Sequence, residues 1–121
     1  MKSFIPKHHR NDGPEGKIQV DVEDMLRREG WLVMRTHGNM FSVGWPDDYA
    51  THSRYGPRWI EIKNPESFSF TAAQLEFFPK LVANGSGVWI LVAATQVEYE
   101  KLFAKCNWWQ YLPEFRNQKR M

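Results

Sequence analysis

The chain has 121 residues, enough for one domain with a single core and too few for two. Its 42% hydrophobic and 25% charged residues are ordinary for a globular protein, and no apolar run approaches the ~18 residues that a membrane span requires. A net charge of +2 does not by itself argue for a nucleic-acid partner, and one cysteine, Cys106, excludes an internal disulfide or a Cys-ligated iron–sulfur cluster within one chain.

Residues 1–14 show no hydrophobic period and contain Asn-Asp-Gly-Pro, so they read as a basic arm preceding a single domain over 15–121. The arm lacks the apolar centre of a signal peptide, which predicts a cytoplasmic protein. Lys2, Lys7 and Arg10 at one end, and Arg116, Lys119 and Arg120 at the other, either touch nucleic acid or serve only as solvated charge. From Glu15, apolar residues recur at helical spacing through Ile18, Val22, Met25 and Leu26, and Gly30 suits the helix end. WLVMRT (31–36) reads as a first strand, and 37–46 as a loop that could bring His37 to a phosphate. DDYATH opens a second strand, and RWIEIK (58–63) is a third, ended by Asn-Pro.

A second helix follows in FTAAQLEFFPKLVANG, with Thr71 and Gln74 forming a capping-box signature at its start. Pro79 deletes a backbone bond inside it and is expected to kink or split the helix. GVWILVAAT (87–95) is the most continuous apolar run, which predicts a central strand covered on both faces. Residues 96–104 read as a last helix. Trp59 and Trp89 are expected in the core, whereas Trp108 and Trp109 either cap it or meet a second copy. The order α-β-β-β-α-β predicts an α/β fold with a mixed sheet flanked by helices, and a parallel crossover from the third strand to the fourth.

The chemistry concentrates between Gly44 and Pro65. Strand alternation puts Glu61 and Lys63 on one face and Ile60 and Ile62 on the other. Asp47 and Asp48 are adjacent, so only one of them can share the Glu61 face. Two carboxylates brought together repel, and a hard divalent cation such as Mg²⁺ resolves the repulsion. Such an ion also acidifies water, and a metal-bound water beside Lys63 could then be deprotonated, aligned and aimed at a phosphorus atom. The acid-x-lysine triplet alone is weak, since roughly one per 120 residues arises by chance at average composition. Glu15-Gly16-Lys17 is a second example, outside any strand.

The order carries more than the triplet. PEGKIQ with LRREGW, then GWPD, IEIKNP, FTAAQ and GVWILV together resemble the PD-(D/E)xK nuclease superfamily, and within it the small VRR-NUC nucleases, from about Glu15 to Val92. The resemblance implies a restriction-endonuclease-like sheet and a Mg²⁺-dependent endodeoxyribonuclease in which Mn²⁺ substitutes. Its metal ligands would be Asp47, Glu61 and the backbone carbonyl of Ile62. Lys63 would activate the attacking water, with Gln74 beside the site. Glu15 would bind the ion directly or through water. Gln74 has its cap as a competing role, and Glu15 the positive end of its helix. Small relatives resemble viral and phage Holliday-junction resolvases, which implies branched DNA, a C₂ homodimer and, for a viral protein, the host cytoplasm. The alternative is a nuclease fold that binds DNA or a protein without cutting.

Overall fold

A computed structural model describes residues 13–36, 44–67 and 69–111 of the chain. The expected arm lies outside these residues except for its last two. Helix α1 (Pro14–Arg28) starts with proline at its first position, where a missing N–H costs nothing, and carries Arg27 and Arg28 in its last turn. Gly30 then turns the chain at φ +92°, a left-handed conformation that suits glycine. Strands β1 (Leu32–Arg35), β2 (Asp48–His52), β3 (Gly56–Ile62) and β4 (Val88–Leu91) form one sheet in the order β1-β2-β3-β4. The first two pairings are antiparallel and the third is parallel, so the expected crossover through α2 (Ala72–Ala83) is present.

Two apolar layers hold the sheet. On one face Val22, Met25 and Leu26 of α1 pack on Val33, Ala50, Ile60 and Ile62. On the other, Leu75 and Phe78 of α2 pack on Val88 and Ile90, with Trp59 and Trp108 against them. Trp108 thus caps this second layer. Trp89 packs against the first, partly buried. The described residues end with α3 (Gln96–Glu100) and two 3-10 turns, Lys101–Phe103 and Trp108–Tyr111, in place of the single helix over 96–104 that the sequence predicts.

Two further expectations are corrected. β4 is buried on both faces, as its apolar run predicts, but it is an edge strand, and β2 and β3 are central. Its open edge is closed by a side chain: Ile90 N–H donates to Asn107 Oδ1 at 2.7 Å, and Asn107 Nδ2 donates back to the Ile90 carbonyl at 3.0 Å. Asn107 is itself buried, so its amide replaces a neighbouring strand at the centre of β4. Pro79 does not split α2, which runs as one element from Ala72 to Ala83. The capping box secures its first turn and the burial of Leu75 and Phe78 holds the turns around the proline, offsetting the lost bond.

Candidate active site

The site forms where the sheet ends, at the start of β2 and the end of β3. Asp48 pairs with Ile60, so the register sets Asp47 opposite Glu61, and alternation sends Asp47 to the Glu61 face and Asp48 to the α1 face. The approach to Asp47 is held by Gly44, whose φ is +86° and whose hypothetical Cβ would lie 2.9 Å from the Ala73 carbonyl oxygen in the first turn of α2. Only glycine satisfies both the dihedral and the close approach. Trp45 then packs on Trp59 and Phe77, with ring centroids 4.8 and 4.9 Å away. From the other side, Thr36 Oγ1 donates to the carbonyls of Pro46 (2.6 Å) and Asp47 (3.2 Å).

Asp47 is bound through both backbone and side chain. Its N–H donates to Glu61 Oε1 at 3.1 Å, and its Oδ2 accepts the Ile62 N–H at 2.8 Å. In a strand, the N–H and C=O of one residue point to the same edge. The Ile62 carbonyl is therefore directed to the Asp47 side of β3. Glu61 is buried, and its Oε2 accepts from Gln74 Nε2 at 2.8 Å and lies 3.1 Å from Lys63 Nζ. Lys63, also buried, donates to the Ser69 carbonyl (2.8 Å) and to Gln74 Oε1 (3.3 Å), with its ammonium 4.7 Å from the centroid of the Phe70 ring. Sequence alternation pairs Lys63 with Glu61 but gives no sign of the Ser69 carbonyl, which arrives on the irregular segment before α2.

Gln74 caps α2 and also touches Glu61. Its Oε1 accepts the Thr71 N–H at 3.0 Å to complete the capping box, and its Nε2 holds Glu61. The amide orientation follows from its partners. Exchanging O and N would face the NH₂ against two donors, the Thr71 N–H and the Lys63 ammonium.

Burial dominates the electrostatics. Loss of solvent pushes the Asp47 carboxyl up to about 6, with the Glu15 carboxylate adding to the rise and the Ile62 N–H and Lys63 opposing it. Glu61 is pushed up to about 8 by burial and by Asp47, against the pull of Lys63 and Gln74. The two desolvated, mutually repelling carboxylates share the Lys63 ammonium between them, and their ligand atoms are all hard oxygens. Among the described residues, no three acid, imidazole or thiol side chains converge as a ready-made metal cluster. Two carboxylates and a carbonyl suit Mg²⁺, which keeps much of its water, better than zinc.

Glu15 lies in the first turn of α1, half-buried, and acts electrostatically on Asp47 from beyond the end of the sheet. Asp48, which the sequence sets aside as facing away, does face away, yet it is fully buried and sits in a second polar cluster under α1. Gln19 Nε2 is 3.4 Å from both of its oxygens. Burial and a hydrogen bond with Glu23 push the Asp48 carboxyl up to about 10. Arg35, at the end of β1, also belongs to this cluster. It grips Glu23 through Nε (2.7 Å) and Nη2 (2.9 Å). A basic residue two positions along β1 from buried Val33 is the signal that would have put it on the helix-covered face. His37 lies outside the described residues. His52 ends β2 far from the carboxylates and accepts the Arg54 N–H.

No protein-family model matches the chain, and no curated protein does. A solved structure described as a VRR_NUC domain matches it with a TM-score of 0.61 at 22% identity, over 72% of this chain and 92% of that one. The two share a fold, a four-stranded mixed sheet flanked by helices, which is the architecture that the order of motifs predicts. Among the described residues, no helix is long and apolar enough to cross a membrane.

Proposed function

We propose that this chain is a nuclease of the VRR-NUC family, a metal-dependent endonuclease that hydrolyses phosphodiester bonds in DNA. The observation that supports this most is the joint burial of Asp47, Glu61 and Lys63 at one end of the sheet, bound to one another by their own backbone and side chains. A structural ion pair gains little from burying a second carboxylate beside it, whereas a cation site requires one. Asp47, Glu61, the Ile62 carbonyl and Glu15 would hold Mg²⁺, with Mn²⁺ as a substitute. The ion would supply acidified water and neutralise charge on the phosphate. Lys63 positions the attacking water and offsets phosphate charge. Gln74 fixes the rotamers of Glu61 and Lys63 together.

The substrate in this proposal is branched DNA, cut by a C₂ homodimer that delivers two nicks to a four-way junction. Recognition in this proposal runs through phosphates and DNA shape. One observation supports the alternative of a silent binding module: Lys63 already has the Ser69 carbonyl, Gln74 and Glu61 as partners for its three hydrogens. Catalysis requires that one of them be given up. The test is cleavage of a mobile four-way junction against linear duplex, with Mg²⁺ or EDTA, by wild type and Lys63→Ala. Metal-dependent paired nicks lost in the variant support the resolvase-like enzyme. Cleavage of both substrates alike retains the nuclease and removes the junction preference. Junction binding without cleavage in Mg²⁺ or Mn²⁺ favours the silent module.

A further inference from the structure

We propose that Gln19, Glu23, Arg35 and Asp48 are positioning residues, a buried polar clamp that fixes α1 against β1 and β2 and so sets Glu15 and Asp47 relative to each other. For the role of Glu15 the inference rests on the metal-site reading above. Glu15, Gln19 and Glu23 follow one another at intervals of four, a single stripe along α1. The lower two are anchored. Gln19 meets both oxygens of Asp48 at 3.4 Å, and Glu23 takes the two-pronged grip of Arg35 at 2.7 and 2.9 Å. Arg35 and Asp48 are cross-strand partners, so the two anchors tie the helix to both strands in one network.

The clamp's geometry leads to the site. Each four-residue step rises about 6 Å along a helix. With Gln19 set over Asp48, the first residue of β2, the next step toward the N-terminus carries Glu15 past the end of the strand to the level of Asp47. The same network holds Asp47 from behind. Asp48 is its neighbour, and Thr36, next to Arg35, binds the carbonyls of Pro46 and Asp47. An apolar contact between α1 and the sheet would tolerate a small slide or rotation. A directional network of a bidentate ion pair and two further side chains does not.

The experiment compares full-length wild type, Asp48→Asn, Asp48→Leu, Glu23→Gln, Glu15→Gln and the Glu15→Gln/Asp48→Leu double variant by two readouts. The first is amide hydrogen exchange in EDTA at Asp47 and Ile62, with Ile90 in β4 as the internal reference. The second is Mg²⁺ affinity by calorimetric titration. Asp48→Leu is expected to speed exchange at Asp47 and Ile62 about tenfold or more while Ile90 stays protected, with Glu23→Gln between it and wild type and Asp48→Asn close to wild type. Mg²⁺ affinity should fall roughly 10- to 100-fold in Asp48→Leu, as for other residues that orient metal ligands. In the Glu15→Gln background the same substitution should cost several-fold less than in wild type, because one of the two groups whose relative placement it sets is gone. Exchange that rises uniformly, Ile90 included, would overturn the clamp as a positioning device, as would losses of Mg²⁺ affinity that simply add. If wild type does not bind Mg²⁺, the nuclease reading fails separately. The exchange pattern then decides the clamp by itself, selective loosening supporting it and uniform loosening refuting it. Should Asp48→Leu not fold, Glu23→Gln carries the same comparison.

Discussion

Asp48 should make the protein less stable as pH rises through the neutral range, and Asp48→Asn should abolish that dependence. In the folded chain its carboxyl is pushed up to about 10, by burial first and by the Glu23 hydrogen bond second, against an ordinary value of 3.8. Between those values the folded protein holds a proton that the unfolded chain has released. Stability is therefore fully present below about pH 4 and is lost as pH climbs toward the folded value. Within the window, one proton of difference is worth about 1.4 kcal/mol per pH unit, so from pH 6 to pH 8 this carboxyl removes on the order of 2–3 kcal/mol. Against a total stability of about 5–15 kcal/mol, that is a large share.

Asp47 and Glu61, pushed up to about 6 and about 8, act with the same sign, so wild type without divalent metal should weaken steeply from pH 5 to pH 8. Asparagine at 48 keeps the shape of a protonated aspartate, with an N–H to give to Glu23 and an oxygen to receive Gln19, but has nothing to lose. Urea unfolding of both proteins in EDTA at half-unit steps from pH 5.5 to 8.5 isolates the Asp48 share as the difference between the two curves. That difference should grow by roughly 2–3 kcal/mol between pH 6 and pH 8 in favour of the variant, at equal m-values. Parallel curves would refute the reasoning. They would mean that Asp48 is ionised in the folded chain and that Gln19 and Arg35 suffice to hold its charge.

Other perturbations have equally definite outcomes. Mg²⁺ should raise the melting temperature more at pH 8 than at pH 5.5, since protons compete with it for Asp47 and Glu61; an equal shift at both, by scanning fluorimetry, would argue against binding at these carboxylates. Gly44→Ala combines a left-handed φ with a Cβ 2.9 Å from a backbone oxygen. It should cost roughly 2–5 kcal/mol in urea unfolding, and a loss below 1 would show that the loop gives way freely. Asn107→Ala leaves the N–H and C=O of Ile90 without their side-chain partner and uncovers the edge of β4. It should cost roughly 2–4 kcal/mol and promote concentration-dependent association, detected by light scattering. Gln74→Glu keeps an acceptor for the Thr71 N–H but sets a carboxylate against Glu61. It should fold near wild-type stability at pH 5, weaken as pH rises, and lose Mg²⁺ affinity; a pH-independent loss would indicate a capping effect alone.

What the sequence made legible follows the range of the forces involved. Helix α1 and strands β2 and β3 announce themselves through local periodicity, and alternation alone pairs Glu61 with Lys63. Which of two adjacent aspartates shares their face follows once Asp48 is matched to Ile60. The edge position of β4 was not legible, because an apolar run reports burial of two faces and says nothing about the strand's flanks. A side chain sixteen residues beyond the strand's end, Asn107, closes that flank. The Asp48 cluster was hidden for a similar reason. Gln19, Glu23 and Arg35 look like the solvated face of a helix and an exposed strand residue until the sheet brings an acid between them.

Gln74 shows why the sequence offered a choice where the protein makes none. A capping box uses the acceptor end of the glutamine amide, and a partner for Glu61 needs its donor end. The two demands fall on different atoms of one group and so do not compete. They also strengthen each other, because the Thr71 N–H fixes which way the amide faces and thereby aims the NH₂ at Glu61. The start of α2 is thus set by the same bond that orients the carboxylate. A shift of the helix by one residue would break the cap and release Glu61 together. That coupling lets a small domain hold a desolvated acid pair in place with few residues assigned to the task.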